Sequence, residues 1–155
     1  MKKVTYSVLV TLSLLASCSS SDDDKEVIGD GFAAAPVSGV VYGENFTAGG
    51  GKSQSVTLNG VESLYIYLTP GAINCNSIQL DPISITVPAA TGTYTSGITV
   101  VFKNPANDDF EGATDKKIEI LSISETSVKG RIKASGFHND EQNINGTFEV
   151  PYCPL

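Results

Sequence analysis

The sequence has no tryptophan, one histidine, three cysteines, and 10 basic side chains against 17 acidic ones. A lone histidine leaves little for acid–base or nucleophilic catalysis, and no G-x-S-x-G elbow occurs. His138 lies in the polar run HNDEQN, which predicts a solvated loop residue. Two cysteines and one histidine without close spacing also do not match a zinc site. The expectation is therefore a non-enzymatic protein without metal or cofactor.

No apolar run is long enough to span a bilayer, which requires about 20 residues. The apolar run at residues 4–16 contains no charge, follows Lys2 and Lys3, and is typical of an export signal. It leads into Leu15-Ala16-Ser17-Cys18, which resembles the lipobox of bacterial lipoproteins, where cleavage precedes an acylated cysteine. We therefore predict a signal peptide at residues 1–17 and lipidation of Cys18. The alternative is an ordinary secretory signal in which Cys18 is incidental.

Residues 18–31 are predicted to be an acidic, flexible tether, because serine and aspartate runs bury nothing apolar. The run Ser21-Asp22-Asp23-Asp24 resembles the surface-export signal of Bacteroidetes-type lipoproteins, which implies an outer-membrane location facing the exterior. A plain spacer on a periplasm-facing lipoprotein is the alternative. Cleavage before Cys18 would leave 8 basic and 17 acidic side chains, a net charge of −9. Such a balance disfavours nucleic acid and anionic membrane surfaces as partners.

The remainder, residues 32–155, is predicted to be a single all-β domain. Apolar residues recur with period two, and no stretch sustains a helical pattern. In VESLYIYL, Leu64, Ile66 and Leu68 share one face, which places Tyr65 and Tyr67 on the other. Asn59-Gly60 between two such runs predicts a tight hairpin. Ile132 and Ala134 are expected to lie against Phe148 and Val150 in the last antiparallel pair. The expected architecture is an antiparallel β-sandwich, or flattened barrel, of about seven to nine strands.

Cys75 and Cys153 are predicted to form a disulfide, because an exported protein meets an oxidising compartment. The bridge would close a loop of 78 positions and contribute on the order of 4 kcal/mol if it is unstrained. Two unpaired thiols are the alternative.

Three motifs partly match known binding sites but lack essential features of them. GGGKS, at residues 49–53, lacks the first glycine of a phosphate loop and precedes a strand pattern, so a flexible hairpin loop is predicted. The acidic runs NDDFEG, with Asp108, Asp109 and Glu111, and HNDEQN, with Asp140 and Glu141, lack the alternating spacing of a calcium loop. Solvated turns are therefore expected in both.

Tyr65 and Tyr67 are the candidate ligand-binding residues. Exposed aromatic rings on a sheet face can stack on sugars, since each ring combines a flat apolar face with a polar edge. On one strand the two residues would be spaced about 7 Å apart. The alternative is that a second layer of structure buries them.

Three further segments carry a family resemblance: GFAA near residue 32, TGTYT at residues 91–95, and VKGRIKASG with INGTFEVPYC at the end. With them the chain resembles an uncharacterised family of small Bacteroidetes-type lipoproteins, although Tyr42 stands where relatives often have tryptophan. The resemblance implies an all-β fold and a lipid anchor, and it implies no catalytic residues. We therefore expect a binding or structural domain that recognises a glycan or an envelope protein. A secreted carboxylate-dependent hydrolase is the alternative.

Overall fold

The computed structural model describes residues 27–77, 82–107, 109–138 and 141–154. The predicted signal peptide, Cys18, Asp108 and Asp140 lie outside the described residues. Within those ranges the chain is all-β, with one short 3-10 turn and no α-helix, which confirms the predicted fold class.

Thirteen strands follow one another along the described chain. Their bounds are β1 (Val27–Ile28), β2 (Phe32–Ala33), β3 (Ser38–Val41), β4 (Glu44–Thr47), β5 (Gly50–Leu58), β6 (Val61–Thr69), β7 (Ile83–Pro88), β8 (Gly92–Tyr94), β9 (Thr99–Lys103), β10 (Phe110–Gly112), β11 (Asp115–Ile123), β12 (Ser127–Ser135) and β13 (Gln142–Pro151). This number exceeds the seven to nine predicted, because six of the strands, β1, β2, β3, β4, β8 and β10, have only two to four residues. Strands that short give no readable alternation.

Two antiparallel sheets build the sandwich. One has six strands in the order β4-β3-β13-β12-β11-β8, and the other has five in the order β10-β9-β7-β6-β5. The core lies between their inner faces. Leu64, Ile66 and Leu68 of β6 and Ile83 and Ile85 of β7 are fully buried there, as the alternation predicts.

The hairpin predicted at Asn59-Gly60 joins β5 to β6. Leu58 pairs with Val61, and the two turn residues have φ of 51° and 80°, the positive values that a type I′ turn requires.

The last hairpin is antiparallel as predicted, but its register differs from the expected one. Phe148 and Val150 face the core, yet their partners are Gly130 and Val128 instead of Ile132 and Ala134. The Phe148 ring occupies the space above Gly130, where a Cβ would stand 2.5 Å from the ring. Alternation predicted which face is apolar, whereas the loop length and this packing set the register.

The GGGKS segment is not the flexible hairpin loop that the sequence predicts. Gly50, Gly51 and Lys52 open strand β5 and pair with Thr69, Leu68 and Tyr67. A Cβ at Gly51 would stand 2.1 Å from the Tyr67 carbonyl oxygen and 2.7 Å from Val150 Cγ1. Here glycine therefore permits a close approach to neighbouring strands.

The N-terminal segment packs on the outside of the six-stranded sheet. Strand β1 pairs with β2 across a 3-10 turn at Gly29–Gly31, so the last five residues of the predicted tether form a strand and a turn. Phe32 is 0% exposed and lies outside the main core. The cationic groups of Lys117 and Arg131 are 5.3 and 5.0 Å from its ring centroid. These cation–π contacts and the burial of Phe32 explain why the segment is ordered.

Asn145 provides the polar link between this segment and the sheet. Its Oδ1 accepts the Ala33 N–H at 2.9 Å, and its Nδ2 donates to the Gly31 carbonyl at 3.1 Å. We expect Asn145→Ala to destabilise the docked segment by about 1–2 kcal/mol, because two hydrogen bonds are lost. Hydrogen exchange at the Ala33 amide measures this effect directly.

The matched control is Glu149→Gln, which removes the half-exposed ion pair with Lys129 on the same sheet face. A surface ion pair of this kind contributes little, so Ala33 protection should not change. Equal protection of Ala33 in Asn145→Ala and in the unmodified chain would contradict the assigned role.

The C-terminal residues join the two sheets. Tyr152 forms an isolated parallel bridge with Ser53, and the Cys153 N–H donates to the Ser53 carbonyl at 2.7 Å. The Cys75 and Cys153 sulfur atoms are bonded, with Cα atoms 5.4 Å apart. The disulfide predicted from the sequence thus attaches the end of β13 to the loop that follows β6.

Candidate functional site

The outer face of the five-stranded sheet carries the two candidate tyrosines. Leu64, Ile66 and Leu68 point into the core, so the alternating Tyr65 and Tyr67 point outward, where both are half-buried. Their ring centroids are 5.1 Å apart and the ring planes are tilted by 40°. The rings therefore lean towards each other and form a tilted pair, which is closer than the spacing of about 7 Å expected along the strand.

The cross-strand neighbours of this pair are polar. Tyr65 lies between Gln54 of β5 and Thr86 of β7, while Tyr67 lies between Lys52 and Ser84. We call these six residues the tyrosine face. Its neighbours offer one amide, two hydroxyls and one ammonium group, and none of the six residues is acidic. Such a mixture of aromatic rings and non-acidic hydrogen-bonding groups is suited to a hydroxyl-rich ligand.

Lys52 supports one edge of the tyrosine face. Its Nζ donates to the Ser77 carbonyl at 2.5 Å and lies 5.9 Å from the Tyr67 ring centroid. The side chain is buried, and the loop containing Cys75 is thereby held against this end of the face. The disulfide, Lys52 and Tyr67 therefore belong to one connected region.

The structure brings together the two acidic runs that the sequence leaves apart. The Glu111 carboxylate, on strand β10, accepts the backbone N–H of Phe137, which lies in the β12–β13 loop. In the same loop the Glu141 carbonyl accepts the Gly43 N–H at 3.1 Å. Burial, and then the carboxylates of Glu111 and Asp109, raise the pKa of the nearby Tyr42 hydroxyl. One end of the sandwich is therefore acidic and built from both sheets.

His138 lies at this acidic end and is exposed, as predicted for a loop residue. Its ring meets the Phe137 ring edge-on, with centroids 5.2 Å apart. Within the described ranges no three His, Cys, Asp or Glu side chains are grouped so that they could hold a metal ion.

Three residues of this end were missed by sequence analysis: Phe110, Phe137 and Gln142. Each stands beside charged or turn residues in NDDFEG or HNDEQN, outside any clear alternation. The available signal was an aromatic residue next to acidic turn residues, as at Phe110 and Phe137. A side chain in such a turn is expected to be exposed, because no core lies beside it.

The outer face of the six-stranded sheet is basic but largely paired. Arg131 forms an ion pair with Glu119, Lys129 with Glu149 at 3.0 Å, and Lys117 with Asp30 at 3.8 Å. A groove of about 310 Å³ beside Lys117 is also lined by Lys116, Lys133, Asp30 and Asp115. Because acids offset its lysines, this groove is a weak candidate for anion binding.

Comparison with known proteins adds no assignment: no protein-family model, curated protein or solved structure matches this chain. In the part of the chain that the structure describes, no helix is both long and apolar enough to cross a bilayer.

Proposed function

We propose that this protein is a lipid-anchored lipoprotein of the outer membrane, facing the exterior, with a non-catalytic β-domain that serves binding or structure. The anchor proposal rests on Leu15-Ala16-Ser17-Cys18 after an uncharged apolar run, and the surface location rests on the acidic run at residues 22–24. Two or more acyl chains on one residue would provide stable membrane attachment, whereas a single chain is marginal.

The ligand that the tyrosine face supports best is a glycan. The observation that carries this proposal is the outward pair of Tyr65 and Tyr67, with rings 5.1 Å apart and polar, non-acidic neighbours. Aromatic rings attract the C–H faces of sugars, and the amide and hydroxyl groups of Gln54, Ser84 and Thr86 can exchange hydrogen bonds with sugar hydroxyls. A structural or protein-binding role uses the same face without sugar specificity.

The test is a glycan array probed with the full chain, purified in detergent. We expect the Tyr65→Ser/Tyr67→Ser variant to lose at least about tenfold in affinity for the glycans that the unmodified chain binds, because about 1.4 kcal/mol corresponds to a factor of ten. The melting temperature of each variant is measured alongside to exclude unfolding.

Tyr94→Ser is the matched control, since Tyr94 lies on β8 of the other sheet. It should bind glycans as the unmodified chain does. If no glycan binds, or if the double variant binds unchanged, the glycan proposal is wrong. Cleavage of a bound glycan would instead identify the carboxylate-dependent hydrolase considered from the sequence.

A further inference from the structure

The outer face of the five-stranded sheet continues past the tyrosine face to the edge strand β10. One row of paired residues crosses strands β6, β7, β9 and β10, and its members are Tyr67, Ser84, Val101 and Gly112. Residues directly opposite each other in an antiparallel sheet lie on the same face. Because Tyr67 points outward, the whole row lies on the outer face.

Phe110 belongs to this outer face as well. It lies two residues before Gly112 on β10 and pairs with Lys103, which follows the fully buried Phe102 on β9. Successive side chains of a strand point to opposite faces, so Phe110 and Lys103 point outward. Phe110 is 74% exposed. The edge strand therefore presents a third aromatic ring on the face that carries the two tyrosines.

Hydrogen bonds on both sides of Phe110 hold β10 in place. The Asn104 N–H donates to the Asp109 carbonyl at 2.9 Å, before the strand. After the strand, the Ala113 N–H donates to the Val100 carbonyl at 2.8 Å. A ligand that contacts the Phe110 ring therefore meets a backbone that is already ordered, and little conformational entropy is lost on binding.

The distance from the tyrosines to Phe110 sets the size of a ligand that contacts both. Three strand spacings, combined with two residues along the strand, separate the Cα atoms of Tyr67 and Phe110 by about 16 Å. A Cβ placed on Gly112 would have no atom of the described residues within 4 Å, so the space above this end of the row is open. A gap of about 16 Å is wider than one sugar ring.

Hydroxyl groups lie between the aromatic rings. Thr86 pairs with Tyr65 on one side and with the exposed Thr99 on the other, in a second row parallel to the first. Together with Ser84 these residues place three hydroxyls on the outer face of β7 and β9. Each hydroxyl can both donate and accept a hydrogen bond, as the hydroxyls of a sugar can.

We propose that the glycan bound by this protein is a linear oligosaccharide that crosses the strands, with one end on the tyrosine pair and the other on Phe110. The Phe110 ring contacts the C–H face of a distal sugar. The hydroxyls of Ser84, Thr86 and Thr99 exchange hydrogen bonds with the sugars in between. This inference rests on the proposed function, and it adds the length of the ligand and a third aromatic contact.

The test is isothermal titration calorimetry with the full chain in detergent. The probes are linear glucans, mannans and xylans, each as a monosaccharide, a disaccharide and a hexasaccharide. We expect the hexasaccharide of the recognised sugar to bind about tenfold more tightly than its disaccharide. Phe110→Ser should weaken hexasaccharide binding about tenfold and leave disaccharide binding within about twofold. Because Phe110 is exposed, the melting temperature should not fall.

Leu58→Ser is the matched control. Leu58 is 44% exposed and lies on the opposite edge strand, β5, on the same outer face but on the far side of the tyrosines from Phe110. This variant should bind both lengths within about twofold of the unmodified chain, because it removes an exposed apolar side chain outside the path of the ligand.

The outcomes separate this inference from the proposal on which it rests. Tyr65→Ser/Tyr67→Ser should weaken both lengths. If it does so while Phe110→Ser leaves hexasaccharide binding unchanged, the inference is wrong and the tyrosine-face proposal stands. Equal affinity of the unmodified chain for the two lengths, or equal weakening in Leu58→Ser, also overturns the inference. If no probe binds, the glycan proposal fails and the inference fails with it.

Discussion

Reduction of the Cys75–Cys153 disulfide is expected to lower the free energy of unfolding by about 4–5 kcal/mol. The bridge closes 78 positions, and a cross-link over so long a loop removes much of the conformational entropy of the unfolded chain. For a domain of this size the melting temperature should fall by about 10–20 °C. Differential scanning calorimetry of the full chain, with and without reductant, measures the change.

The variant Cys75→Ser/Cys153→Ser tests whether this effect belongs to the bridge. It should melt where the reduced protein melts and be insensitive to reductant. The reduced protein is still expected to fold, because the Ser53–Tyr152 bridge and the 2.6 Å hydrogen bond between Ser55 Oγ and Tyr152 Oη do not require the disulfide. An unchanged melting temperature after both thiols have become reactive would contradict the prediction.

Replacement of Cys18 by alanine is expected to move the protein from the membrane fraction to the aqueous fraction almost completely. The proposed anchor consists of acyl chains on that one side chain, and each buried CH₂ contributes about 0.8 kcal/mol to membrane attachment. Without them, the acidic run at residues 22–24 is repelled by anionic lipid surfaces. Fractionation of cells followed by detection of the protein measures the redistribution.

Ser17→Thr is a suitable control, because it alters a neighbouring position and retains the cysteine thiol. It should remain in the membrane fraction. Mass spectrometry of the unmodified protein should show cleavage before Cys18 and the added mass of the acyl chains. Membrane association of Cys18→Ala equal to that of the unmodified chain would rule out the proposed anchor.

The sequence alone predicted those features that depend on neighbours along the chain. Alternation on β6 placed Leu64, Ile66 and Leu68 inside and Tyr65 and Tyr67 outside, because successive side chains of a strand must point to opposite faces. Asn59-Gly60 predicted its own turn because both residues adopt positive φ.

Only the tertiary structure decided what depends on contacts between distant segments. The glycines before Lys52 resemble a flexible loop in sequence, yet Gly51 is confined by Tyr67 and Val150. Phe32 looks like the start of a core strand, yet it packs outside the sandwich between Lys117 and Arg131. In both cases the contacting residues are distant in sequence, so no local pattern predicts the contact.

The same distinction applies to the outward tyrosines and to the acidic end of the sandwich. The outward pair of Tyr65 and Tyr67 follows from one strand and its alternation, so residues 61–69 were sufficient to predict it. The acidic end of the sandwich requires Glu111 of one sheet to meet Phe137 of the other, and the two residues are 26 positions apart. Local backbone geometry determines which way a side chain points, whereas the packing of two sheets determines what it meets.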